Sequence, residues 1–262
     1  MKRFLATFLL PAALLVISVV PALAITYGEP DGDGHPNVGA MIVDFGDGRG
    51  PRQICSGTLI SPTVFLTASH CTVFVEALGI TDVWVTFDSV FDPDTSTLIP
   101  GTIHSNPGYN QAQNDPGDIA VIVLDEAPPG LTPATLPTAG LFSELGAQNG
   151  LKGQTFTAVG YGVVEPQIGG GPPVFGGSGT RHVSESTFAA LNKAWLRLSQ
   201  NNATGDSGTC FGDSGGPNFF GDTDMIASIT ITGDAMCLAT NTTLRLDTPS
   251  ARAFLDDFVA LP

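Results

Sequence analysis

The sequence predicts an all-β protein of barrels or sandwiches, with one helix at the C-terminus. Its apolar residues come in many short runs rather than long stretches. Turn formers punctuate those runs, with 32 glycines and 20 prolines in 262 residues. Helical spacing is clear only in the tail, so strands and turns carry the fold. The length suits one large domain or two small ones.

The elements follow in chain order. "VGAMIVDFGDG", from Val38, reads as a strand ending in a Gly-Asp-Gly turn. "ICSGTLISPTVFLTASHC" reads as two strands joined at Ser61-Pro62. "VWVTF", from Val83, alternates as a half-buried strand does. "DIAVIVLDEAP" is a continuous apolar run stopped by acid and proline, the mark of a strand buried on both faces. "FTAVGYG" ends in glycines, and "EPQIGGGPPVFGGSGT", from Glu165, reads as an exposed, mobile loop. "IASITITGDAMC" alternates again. In the tail Thr248 can cap a helix, Pro249 suits its first turn, and Ala251, Phe254, Leu255, Phe258 and Val259 recur at helical spacing.

Lys2 and Arg3 precede an apolar run that ends in "ALA" at Ala24. This is the layout of a cleavable signal over residues 1–24, which implies a secreted protein, extracellular or periplasmic, beginning at Ile25. Phe4 to Ala24 is long enough to span a bilayer, but Pro11, Pro21 and the small-x-small ending argue for cleavage. No other stretch is long enough, so no membrane association is expected after the signal is removed. The formal net charge of −15 excludes a phosphate backbone as a natural partner, so no nucleic acid is expected. Cys55, Cys71, Cys210 and Cys237 make an even count in an exported chain, which argues for two disulfides. Three pairings are possible and the local one is the simplest. Metal-site spacings are absent, and neither a metal nor another cofactor is called for.

"TCFGDSGGP", from Thr209 to Pro217, sets Ser214 among glycines. Such a serine serves a tight turn or a nucleophile that a substrate backbone must approach. A nucleophilic serine needs a base, and histidine titrates in the right range. Of His35, His70, His104 and His182, His70 stands out in "LTASHC", at the end of an apolar strand and beside a cysteine. The imidazole in turn needs a carboxylate. Asp118 is the best candidate, at the mouth of a buried strand, whereas Asp115 suits a solvent-facing position. "GDSGG" also fits the nucleophile elbow of α/β hydrolases, but there a histidine follows the serine, and none follows Ser214. A subtilisin-like order would put the acid before the histidine, and no strand-end motif does so.

In the order His70, Asp118, Ser214, the segments "ITYGEPDGDGHPNVG", "LTASHC", "DIAVIVL" and "GDSGGP" resemble the landmarks of trypsin/chymotrypsin-like serine proteases. The resemblance covers the chain from Ile25 to the terminal helix. It implies two antiparallel six-stranded β-barrels with a C-terminal helix, the first over about 25–133 and the second over 134–262. It implies a serine endopeptidase in which His70 is the base, Asp118 its orienter and Ser214 the nucleophile. The N–H groups of Gly212 and Ser214 would form the oxyanion hole. The pairings Cys55–Cys71 and Cys210–Cys237 agree with the family's disulfides. An activating ion pair would join the Ile25 terminus to Asp213.

The specificity pocket would involve Gly208, Thr209, Phe211, Ile231, Thr232 and Gly233. Gly208 takes the place of the aspartate that selects Arg or Lys, so an uncharged P1 residue is expected unless a shifted loop brings in Asp206. Thr232 stands where the family often has Trp. "TASHC" departs slightly from the usual "TAAHC". Partners would be protein or peptide substrates and protein protease inhibitors. The alternatives are a catalytically inactive binding protein on the same scaffold or a general esterase. Asn202 and Asn241 begin glycosylation sequons.

Overall fold

The computed structural model describes residues 25–164, 166–167 and 173–262. Residues 1–24, where the signal is expected, Glu165 and residues 168–172 of the Gly/Pro-rich stretch lie outside the described residues. β1 (Glu29–Pro30) is a short edge strand. β2 (Val38–Val43), β3 (Arg52–Ser61) and β4 (Val64–Thr67) lead into α1 (Ser69–Ala77). β5 (Val83–Thr86), β6 (Ile99–Ser105) and β7 (Ala120–Leu124) follow. These strands close a barrel in the order β2-β3-β4-β7-β6-β5, antiparallel throughout. Met41, Phe65, Leu66, Val85 and Ile122 are fully buried in its core.

The connection carries α2 (Leu141–Ala147), whose Phe142 packs with Leu151, Phe156, Leu196 and Leu198 in a second apolar cluster. β8 (Thr155–Gly160), β9 (His182–Leu191), β10 (Trp195–Ser199), β11 (Pro217–Phe220), β12 (Ile226–Gly233) and β13 (Thr240–Arg245) form the second barrel, closed by the β8–β9 pairing. β1 adds to its β9 edge, with Glu29 opposite Val183. α3 (Pro249–Leu255) begins as expected: Thr248 Oγ1 accepts the Ala251 N–H at 3.3 Å, with Pro249 in the first turn. The helix stops before Phe258, whose ring lies 5.1 Å from that of His104 on the first barrel. Two closed six-stranded antiparallel barrels and a terminal helix are therefore the fold.

The alternation expected of "IASITITG" is not seen, because Ile226–Thr230 are all buried. One face of β12 lines the barrel while the other is covered by neighbouring chain. α1 and α2 were not legible in the sequence, since each has only about two turns and a weak apolar period. Of the described part of the Gly/Pro-rich stretch, Gln167 bridges Val174, and Gly179 bonds to Tyr161 and Phe91 backbone.

A buried guanidinium joins the two barrels and the N-terminal segment. Arg181, 1% exposed, pairs with Asp31 at 2.8 Å and donates to the carbonyls of Gly32, Val38 and Phe87 and to the Tyr161 hydroxyl. Burial alone would raise the Asp31 pKa, but hydrogen bonds from His35 and Arg181 bring it below the usual value. That depression supplies stability above the ordinary carboxylate pKa, and this stability is lost as pH falls through the lowered value. Arg181→Met is expected to destabilise the fold by about 3–5 kcal/mol, because it takes the guanidinium from the buried Asp31 and the donors from the Gly32, Val38 and Phe87 carbonyls. Urea unfolding at neutral pH checks this.

Asn241 is fully buried, and its amide donates to Asn218 Oδ1 at 3.0 Å. The folded chain has no room for a glycan there, whereas Asn202 is exposed.

Candidate active site

His70 stands in the first turn of α1, directly after β4. The N-cap residue, Ala68, offers no side-chain acceptor, so the first-turn N–H groups need partners elsewhere. Asp118 supplies one from just before β7. Its Oδ1 accepts the His70 backbone N–H at 2.8 Å, and its Oδ2 faces His70 Nδ1 at 2.9 Å. The carboxylate thus caps the helix and orients the ring together. A ring nitrogen against a carboxylate carries the proton, which leaves Nε2 as the acceptor. Asp118 is 2% exposed and the His70 side chain 24%, so the acid is buried and the imidazole opens to the cleft.

The other histidines are engaged differently. His35 pairs with Asp31, the His104 ring meets that of Phe258 at a tilt, and His182 Nδ1 lies 3.0 Å from the Thr180 carbonyl. Asp115 accepts the Ser250 hydroxyl at 2.6 Å near the start of α3.

Ser69, the departure in "TASHC", is more than a small change. It is fully buried, donates to the Ile119 carbonyl at 2.6 Å and accepts the Asn106 N–H at 3.1 Å. The hydroxyl ties the helix that carries His70 to the residue after Asp118. Its place beside His70 was the only available signal.

Ser214 lies between β10 and β11, in a loop of the second barrel that docks on the first. Its carbonyl accepts the Ser56 N–H of β3 at 2.9 Å. A Cβ on Gly215 would overlap Thr67 Oγ1 and stand 2.6 Å from the Ser56 carbonyl, so only glycine allows this approach. The loop therefore rests on the end of β4, one turn before His70. Two disulfides brace the same region: Cys55–Cys71 joins β3 to α1, and Cys210–Cys237 joins the loop to the turn after β12.

Gly212 has φ +96°, a conformation that suits glycine. Beside it, Asp213 is fully buried, and its carboxylate accepts the N–H groups of Gly162 at 2.7 Å and Cys210 at 2.8 Å. Burial pushes its pKa up to about 7 against the effect of these bonds. Ile25 is also fully buried. The neighbouring Thr26 forms an antiparallel bridge with Gly208, at 2.8 and 3.0 Å.

The expected pocket residues divide by burial. Thr209 is buried, Ile231 is half-buried, and Thr232 and Gly233 are exposed beside β13. Phe211 is 57% exposed and meets Phe175 edge-on at 5.2 Å. Behind Gly208 lies a residue the sequence did not single out. Gln200 is fully buried, occupies the space a Cβ at Gly208 would need, and donates to the Thr209 carbonyl at 3.1 Å. Asp206 is held on the other side of this loop by the Thr187 N–H at 3.0 Å and the Thr187 and Thr204 hydroxyls at 3.1 and 2.9 Å. Burial opposes its charge, but hydrogen bonds from Ser199, Thr204 and Thr187 outweigh it and lower its pKa.

Comparisons with known proteins agree with this geometry. The family model for trypsin matches residues 34–252. Brachyurin of Leptuca pugilator is 31% identical over 208 residues, which cover 74% of this chain and 80% of that protein. Two solved structures share the fold at lower identity. HL collagenase has a TM-score of 0.66 at 18% identity, covering 89% of this chain and 98% of its own. Neuropsin, a serine protease expressed in the limbic system of mouse brain, has 0.65 at 20%, covering 89% and 99%. With the matched segments spanning both barrels and the His70–Asp118 pair, the chain belongs to the trypsin family and is a serine endopeptidase.

Proposed function

We infer that the chain is an exported endopeptidase that cleaves peptide bonds through His70, Asp118 and Ser214. The observation that carries this reading is the Asp118 carboxylate, which binds both the backbone N–H and the Nδ1 of His70. With Nδ1 protonated, Nε2 takes the Ser214 proton as the hydroxyl attacks the scissile carbonyl. The C–O bond to Ser214 forms and the carbonyl π pair moves to oxygen. The N–H groups of Gly212 and Ser214 receive that oxyanion. The imidazolium then gives its proton to the leaving amine, and water repeats the sequence to release the acyl group.

Residues 1–24 are the signal and the mature chain begins at Ile25. Two disulfides support an oxidising compartment, extracellular or periplasmic. Substrates are proteins or peptides, and protein protease inhibitors would occupy the same cleft. A fluorophosphonate probe tests the reading. Labelling of the folded mature chain at Ser214, abolished in Ser214→Ala, is expected. No labelling would point instead to a binding protein on the same scaffold.

The P1 preference is expected to be uncharged, with Gly208, Thr209, Phe211, Ile231, Thr232 and Gly233 around the side chain. Gly208 brings no charge, and Asp206 is engaged by Thr187 and Thr204. Asp206→Ser should leave the preference unchanged in a peptide-library cleavage profile. Cleavage confined to Arg and Lys, and lost in that variant, would overturn the assignment.

A further inference from the structure

The peptide units on both sides of Gly212 are held by identifiable donors. The Phe211 carbonyl accepts the Val163 N–H at 2.8 Å. In a trans peptide the C=O and N–H point in opposite directions, so the Gly212 N–H faces away from Val163. The Gly212 carbonyl accepts two side-chain donors from β3 of the other barrel, Gln53 Nε2 and Ser56 Oγ, each at 2.9 Å. Ser56 Oγ also accepts the Tyr161 N–H at 2.9 Å, which directs its own proton toward Gly212. Two donors fill both lone pairs of one carbonyl. Glycine's own backbone preference would not select this orientation, so the bonds must.

We propose that Gln53 and Ser56 are positioning residues of the oxyanion hole, anchoring from the first barrel the Gly212–Asp213 peptide unit, which lies between the two N–H groups that the hole would use. The inference rests on the proposed function. Neither side chain is a member of the triad. Their role is to keep the Gly212–Asp213 peptide unit from rotating, so that the N–H groups on either side of it, those of Gly212 and Ser214, are aimed before charge develops on the substrate oxygen. Rotation of that unit would break both bonds, leaving the Gly212 carbonyl unpaired and the proton of the fully buried Ser56 hydroxyl without its acceptor.

The test compares the mature wild type with Ser56→Ala, Gln53→Glu and the double variant. Gln53→Glu keeps the side chain's shape and removes its donor. Each single change is expected to lower kcat about tenfold, and the pair about a hundredfold, with KM within about twofold. The inhibition constant of a peptide aldehyde, which forms a tetrahedral adduct, should weaken by the same factor as kcat. That of the corresponding product peptide should not move. A folded double variant with wild-type kcat and aldehyde affinity overturns the proposal, as does a loss confined to KM. If Ser56→Ala fails to fold, Gln53→Glu alone decides, because its side chain is only half-buried. A wild-type chain without turnover overturns the underlying reading and this one together. An active wild type that Ser214→Ala silences, beside unaffected variants, overturns this one alone.

Discussion

Ser214→Ala is expected to lower kcat by about 10⁶-fold, and His70→Ala to a similar degree, with both proteins still folded. Combining them should cost little more, because a nucleophile and its base act as one unit. Asp118→Asn is expected to cost about 10⁴-fold for a reason visible in the bonding. The carboxylate accepts from two donors, the His70 backbone N–H and Nδ1–H. An asparagine has one acceptor oxygen, and the backbone N–H cannot give up its proton. The amide nitrogen therefore turns to Nδ1, the ring proton moves to Nε2, and the base is lost. Steady-state kinetics on a peptide ester, with thermal unfolding to verify the fold, measure all three. A folded Asp118→Asn variant with near-normal turnover removes Asp118 from the mechanism.

A chain carrying extra residues before Ile25 is expected to be folded but at least about a hundredfold less active than the mature form. Asp213 is buried, with two neutral N–H donors, and a buried carboxylate of that kind favours a cationic partner. Signal removal would create one, the α-ammonium of Ile25, whose residue is already buried beside the 208–213 loop. Pairing raises the amine above its ordinary pKa of about 8, so the active form persists at neutral pH and is lost as pH rises through the raised value.

The uncut chain should show the opposite imbalance. Asp213 is raised from 3.8 to about 7. A raised folded pKa means stability that is present below the unfolded value and lost as pH climbs to the folded one. The loss between roughly pH 4 and 7 is about 4 kcal/mol. Asp31, Asp206 and Asp234 shift downward and act in the reverse sense, so the measurement is the difference between the uncut chain and its Asp213→Asn variant. Full activity in the extended chain, or a mature N-terminus mapped well away from Ile25, defeats the activation proposal.

Much was legible in the sequence because it depends on local chemistry. Short apolar runs broken by Gly and Pro announced strands, and the Thr248-Pro249 pair announced a helix start that Thr248 Oγ1 does cap. The order of His70, Asp118 and Ser214 separated this chain from the elbow hydrolases without coordinates. Even the local disulfide pairing was the simplest of the three possible, and it is the one formed.

The tertiary structure alone decided what depends on contacts between distant residues. Asp118 caps α1 across 48 positions, Gln53 reaches Gly212 across 159, and Arg181 reaches Asp31 across 150. Nothing in the local run of residues marks such partners: Gln53, Ser56, Gln200 and Arg181 look like ordinary strand or loop side chains until the barrels meet. Closing loops of that length costs conformational entropy, which the two barrel cores offset by burying apolar surface. The proposed triad residues are named by sequence, but the surroundings that would aim them are polar groups that find each other only after the cores have formed.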